Sequence, residues 1–175
     1  MMHRKFIVAC AVLFLMSLCQ TAALRAQERG PSTAGERRRV VELTTSLESD
    51  PLGKNAKDYR RELLVFLTQV PDINVMLCTA VLGDSKKIKG DYSAELVGQQ
   101  IYSQAKFIIE HPDQAKDEYQ VYLAGVEGTL RAYAAIKQAK PKVKIEGFEQ
   151  LLARQQEGKL GEFVKSAMSG CKAGS

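Results

Sequence analysis

The chain of 175 residues is poor in several residue types, and each shortage narrows what the protein can do. It has no tryptophan, and its tyrosines fall at the spacing of buried helix positions, so stacking of nucleic-acid bases is not expected. It has two histidines, neither of them in a Glu-x-x-His or His-Glu-x-x-His pattern, which argues against a transition-metal site. No cofactor motif is present. We therefore expect no nucleic-acid partner, no metal and no cofactor.

Long apolar runs are also scarce, and the main one lies near the N-terminus. Residues 1–5 include two basic side chains, residues 6–18 are 13 mainly apolar residues, and several alanines follow. This order is typical of a secretory signal peptide, and the run is shorter than the about 20 residues that a membrane span needs. We expect residues 1–26 to be a signal peptide, cleaved after Ala23 or Ala26, and the protein to be periplasmic or extracellular. Retention of this segment as a membrane anchor is the alternative, and the only route to membrane contact.

Export would also change the charge and the cysteine inventory. Without residues 1–26 the 25 basic residues fall to 22 against 20 acidic ones, so the formal charge drops from +5 to +2. Of the four cysteines only Cys78 and Cys171 remain. Two cysteines in an oxidising compartment predict one disulfide, here closing a loop of about 94 residues. Two separate reduced thiols, or a bridge between two copies, are the alternatives.

The rest of the chain has the pattern of an all-α protein. Residues 27–38 are polar and predict a disordered lead-in, and residues 39–175 predict a single helical domain. Apolar residues recur at helical spacing in 36–49, 56–70, 72–82, 92–110, 113–139, 148–157 and 160–170. Residues 72–82 also have the β-branched content of a strand, but no partner strand is evident. We expect a compact bundle of six or seven helices around a long central helix, 113–139.

That central helix contains Gly125 and Gly128, which lower helix stability. We expect a neighbouring helix to approach closely there; a kink or a bound ligand is the alternative.

Two lysine-rich loops are the main candidate for a binding surface. Lys86, Lys87 and Lys89 lie on one loop, and Lys140, Lys142 and Lys144 lie on another. Such surfaces bind acidic proteins or anionic components of the cell envelope, although lysines of this kind also serve solubility alone.

A small hydrolase that uses carboxylates or Ser85 is the competing hypothesis. Gly83-Asp84-Ser85 matches the three-residue Gly-Asp-Ser motif of one lipase and esterase superfamily. His111 is the one histidine that could act as the general base for Ser85. The spacing Ser103-x-x-Lys106 matches serine–lysine enzymes, but the partner motifs of that class are absent, so it is a chance match. A serine hydrolase would require Ser85, His111 and an acid to converge in one concave site.

The segment Tyr122–Gly128 (YLAGVEG) and the C-terminal helix ending at Cys171 are loosely similar to small periplasmic immunity proteins of type VI secretion. Members of that class carry a signal peptide, are helical and disulfide-bonded, and inhibit a toxin by occluding it. The resemblance implies a protein partner, although the second cysteine pair usual in that class is lacking. The sequence as a whole predicts an exported, non-catalytic binding protein.

Overall fold

The structure is a computed structural model that describes residues 29–171; the expected signal peptide lies outside this range. Within the described range, the residues from Pro31 to Cys171 form one compact unit. Its six α-helices are α1 Ala34–Ser49, α2 Ala56–Gln69, α3 Ser93–Glu110, α4 Glu118–Ala139, α5 Glu146–Gln156 and α6 Leu160–Ala167. Short 3₁₀ turns occur at Thr79–Leu82, Ser85–Lys87 and Met168–Gly170. No strand occurs between residues 29 and 171, which confirms the all-α bundle.

Helix α4 is the longest and lies at the centre of the bundle, as the sequence predicted. Its apolar side packs into a cluster with α5 and α6, and α3 packs along its length. A second apolar cluster joins α1, α2 and α3. The helix begins at Glu118, five residues later than expected, because the Asp117 side chain accepts a hydrogen bond from Gln120 N and caps it there.

Helix α1 starts before the domain boundary predicted at residue 39. Thr33 Oγ1 accepts a hydrogen bond from Glu36 N, and the Glu36 carboxylate accepts one from Thr33 N, a reciprocal capping box. Asp72 stabilises the N-terminal end of the helix by accepting hydrogen bonds from Ser32 and Arg37. Residues 34–38 of the expected lead-in are therefore helical, since local capping and a distant carboxylate both stabilise the helix start.

The prediction of a helix over residues 72–82 was wrong for most of that segment. Residues 71–72 form a bend and residues 73–78 have no regular secondary structure, with extended backbone angles at Cys78, and only Thr79–Leu82 form a 3₁₀ turn. The backbone there is bound by side chains of α3: Gln104 bonds Met76 N and O, and Gln100 bonds Cys78 N and O. These bonds replace the intrahelical ones, so tertiary contacts override the local pattern. We call residues 71–78 the strap.

The two glycines of α4 mark close approach of α3, as predicted. A Cβ on Gly125 would lie 2.9 Å from Gln100 O and 2.9 Å from Gln104 Cγ. A Cβ on Gly128 would overlap Ser103 and lie 2.7 Å from Glu48 Oε1. The absent side chains therefore make room for polar side chains that are buried between the helices.

The strap is joined to the C-terminal end of the bundle. Cys78 and Cys171 lie at disulfide distance with their Cα atoms 5.4 Å apart, in agreement with the predicted pair. Within residues 29–171, no helix combines the length and the apolar character that crossing a bilayer requires.

Candidate functional site

The structure brings the two predicted lysine loops together. Lys87 Nζ lies 2.9 Å from Glu146 Oε1, and a Cβ on Gly147 would lie 2.9 Å from Ile88 Cγ1. Glycine at position 147 thus lets the loop that contains Lys87 pack directly against the start of α5. A concave site of about 620 Å³ opens between the loops. We call it the basic cleft; it is lined by Gly90, Asp91 and residues 140–145.

The lysines of the basic cleft are largely unneutralised. Lys140, Lys142 and Lys144 line it and are exposed, and none forms a direct ion pair within residues 29–171, although Lys144 interacts electrostatically with Glu149. Lys86 and Lys89 on the neighbouring loop are likewise exposed and unpaired within that range. Of the six predicted lysines, Lys87 alone forms an ion pair there. Among the described residues, Asp91 is the one carboxylate that lines the cleft, so the lining carries a net positive charge.

The wall of the cleft is held in place by Tyr133 of α4. Its hydroxyl accepts a hydrogen bond from Ile145 N at 2.9 Å and donates one to Glu149 Oε1 at 2.6 Å. Lys137 forms an ion pair with Glu149. Burial and the bond to Glu149 raise the pKa of Tyr133 to about 12, so the hydroxyl stays protonated and keeps both bonds at neutral pH. This arrangement fixes the end of segment 140–145 and with it the positions of the lysines.

The structure also contains a buried polar centre that the sequence reasoning missed. Glu48 of α1 is almost fully buried, and its carboxylate accepts hydrogen bonds from Ser103 at 2.8 Å, Lys106 at 3.1 Å and Arg131 at 3.0 Å. Burial works to raise the pKa of Glu48, but Arg131, Ser103 and Lys106 outweigh it and the net shift is downward. One signal was available: Glu48 lies four residues after Thr44 on the buried face of α1.

A smaller cleft of about 280 Å³ lies beside this centre and contains His111, Glu110 and Glu127. Ser103 and Lys106 also line it, but both are bonded to Glu48. The two residues are therefore not arranged as a nucleophile and its general base. No group of three or more potential metal ligands occurs within residues 29–171.

The structure does not bring together the residues of the serine-hydrolase hypothesis. Ser85 belongs to the loop that leads into the start of α3, whereas His111 caps the other end of that helix. The 18 residues of α3 span about 27 Å. Ser85 does not line the cleft that contains His111. The serine version of the hydrolase therefore fails on geometry.

Comparison with known proteins adds no assignment: no protein-family model, curated protein or solved structure matches the chain. The likeness to immunity proteins stays a prediction, and function must be argued from the site itself.

Proposed function

We propose that this chain is an exported, non-catalytic binding protein that receives an acidic group of a partner protein in the basic cleft. The observation that carries the proposal is the set of three exposed lysines at positions 140, 142 and 144, which form no direct ion pair within residues 29–171 and line a concave site of about 620 Å³. A concave surface with one sign of charge focuses the electrostatic field and attracts ligands of the opposite sign.

The chemistry of the cleft favours binding over catalysis. Lysine ammonium groups are flexible, hydrated point charges that attract carboxylates without imposing one geometry. The rigid wall behind them, held by Tyr133, keeps three such charges on one segment. The signal-like leader, the cysteine pair and the resemblance to immunity proteins support an exported protein with a protein partner.

Reversing the charge of the cleft tests the proposal. The triple variant Lys140→Glu, Lys142→Glu, Lys144→Glu is compared with the control Lys54→Glu, Lys57→Glu, Lys116→Glu, which makes the same charge change at exposed lysines outside the cleft. Binding of a dye-labelled peptide of alternating glutamate and glycine is followed by fluorescence anisotropy. We expect the cleft variant to lose binding and the control to keep most of it.

Two further measurements sharpen that outcome. Binding to the parent chain should weaken steeply as salt rises from about 0.05 M to about 0.5 M, because screening shortens the range of charge interactions. Vesicles of phosphatidylglycerol form a parallel arm of the experiment. Equal loss in both triple variants would show that net charge, and not the cleft, is responsible. Binding to vesicles but not to the peptide would replace the protein partner with an envelope lipid.

A further inference from the structure

The strap is held along one edge by a helix that acts as a neighbouring strand would. Gln104 of α3 bonds Met76 N and O, each at 3.0 Å, and Gln100 bonds Cys78 N at 3.3 Å and O at 3.0 Å. Four residues of a helix advance about 6.0 Å, and two residues of an extended chain advance about 6.6 Å. Two glutamine amides one helical turn apart therefore match two alternate residues of the strap.

The opposite edge of the strap is open. Both the N–H and the C=O of Met76, and both those of Cys78, bond the same helix, which is the pattern of an extended backbone. In such a backbone, the N–H and C=O groups of successive residues point to opposite sides. Because Met76 and Cys78 face the glutamines, Val75 and Leu77 face away from α3, and no hydrogen bond is made by their backbone within residues 29–171. Leu77 is 56% exposed and Met76 is 40% exposed. The strap thus presents free backbone groups next to apolar side chains.

Around Val75 and Leu77, this open edge lacks the usual protection against pairing. Natural edge strands carry lysine, proline or inward-pointing charges that discourage another strand from adding. Pro71 and Asp72 lie at the start of the strap, but residues 73–78 (INVMLC), which include the open edge, contain no charged residue and no proline. A free backbone edge is complementary to one kind of occupant, another extended backbone, which supplies donors and acceptors in the same alternation.

We propose that the outer edge of the strap binds an extended segment of a partner protein, with apolar side chains at alternate positions, by β-strand addition. Two outward-facing residues offer four backbone hydrogen bonds, two donated and two accepted. Contact between two copies through so short an edge falls well below the 1,200–2,000 Å² that stable dimers bury, so a peptide segment is the better match. This proposal does not depend on the basic cleft.

The probe is a synthetic peptide of alternating valine and threonine, N-methylated on alternate residues so that only one of its edges can pair. A control peptide is N-methylated on every residue and has no donors. Amide hydrogen exchange of the whole chain is measured with each peptide at about 1 mM, a concentration that reveals weak complexes. We expect the probe to slow exchange at Val75 and Leu77, and the control peptide to leave both amides unchanged.

Two substitutions at Leu77 distinguish pairing of backbone edges from nonspecific hydrophobic binding. Leu77→Pro removes an outward N–H that makes no bond in the fold, and should weaken probe binding about tenfold. Leu77→Lys should weaken it too, whereas Leu64→Lys should not, since Leu64 is 49% exposed on α2 but has helix-bonded backbone. Unchanged exchange at both amides, or equal binding by Leu77→Pro, would overturn the proposal. If exchange at Val75 and Leu77 slows as the protein concentration rises in the absence of peptide, the edge would be assigned to pairing with a second copy instead.

Discussion

Glu48 and Arg131 join helices α1 and α4 through two hydrogen bonds of 3.0 Å each, although 83 residues separate them in the chain. Ser103 and Lys106 bring α3 to the same carboxylate. One buried acid thus ties three helices of the bundle together. The net attraction within such a centre adds little to the stability of the fold. Removing one partner is nevertheless strongly destabilising, because it leaves the remaining buried charges without compensation.

Glu48→Gln is therefore expected to destabilise the fold by about 2–4 kcal/mol, since glutamine keeps the shape but removes the charge that Lys106 and Arg131 share. Urea denaturation measures the free energy of unfolding. Glu42→Gln, an exposed position on the same helix, serves as the control and should change stability by less than about 0.5 kcal/mol. Equal effects of the two substitutions would contradict a structural role for the Glu48 centre.

The glycines of the helix pair provide a second test, with an internal control. Gly128→Ala places a methyl group against Ser103 and Glu48, so we expect destabilisation of at least about 2 kcal/mol. Gly98→Ala on α3 places its methyl 3.9 Å from Tyr102, an ordinary contact, and should stabilise the helix by up to about 1 kcal/mol. If Gly128→Ala lowers the melting temperature and Gly98→Ala raises it, then packing, and not helix propensity, requires glycine at position 128.

Gly125 and Gly128 of α4 also show how far the sequence could predict this fold. Their position in the central helix signals close approach, and apolar spacing predicts the helices themselves, because both are local properties. The strap is different. Its conformation depends on hydrogen bonds to Gln100 and Gln104, which come more than 20 residues later in the chain. No local sequence pattern predicts these hydrogen bonds. The lysine loops were identified from their charge, but their adjacency depends on Gly147 and the ion pair of Lys87 with Glu146.

Tyr133→Phe is expected to weaken ligand binding in the basic cleft without contacting the ligand. The substitution removes the acceptor for Ile145 N and the donor to Glu149, so segment 140–145 loses its fixed end. We expect a loss of about 1–3 kcal/mol in stability, from a buried N–H left without a partner, and weaker binding of the acidic peptide. Tyr59→Phe, which is outside the cleft, should leave peptide binding unchanged. Unchanged binding in Tyr133→Phe would show that the wall is rigid without this hydroxyl.

The cysteine pair predicts a dependence on redox conditions. Cys78→Ala with Cys171→Ala should cost about 2–4 kcal/mol, because the bridge closes a long loop and restricts the unfolded chain. Reductant should lower the stability of the parent chain by a similar amount and leave the double variant unaffected. Mass spectrometry after alkylation without reductant checks the bond itself. Labelling of both cysteines in the native protein would contradict the disulfide.

Asp72 predicts how stability depends on pH. Burial opposes ionisation of Asp72, but hydrogen bonds from Ser32 and Arg37 outweigh it and lower the pKa from 3.8 to about 2. Because the folded pKa is below the unfolded one, the stabilisation is complete above about pH 4 and is lost as pH falls towards 2. With 21% of the side chain exposed, we expect a contribution on the order of 1–2 kcal/mol after allowance for solvent screening.

Comparison of the parent chain with Asp72→Asn tests this dependence directly. The difference in unfolding free energy should be about 1–2 kcal/mol at pH 6 and should shrink towards zero as the pH falls below about 2, where the Asp72 carboxyl becomes mostly protonated in the folded state as well. Asp58→Asn is the control, because Asp58 is largely exposed and its one ion pair within residues 29–171 is with Arg61, three residues along α2. A pH-independent difference for Asp72→Asn would mean that its hydrogen bonds stabilise the start of α1 without help from the carboxylate charge.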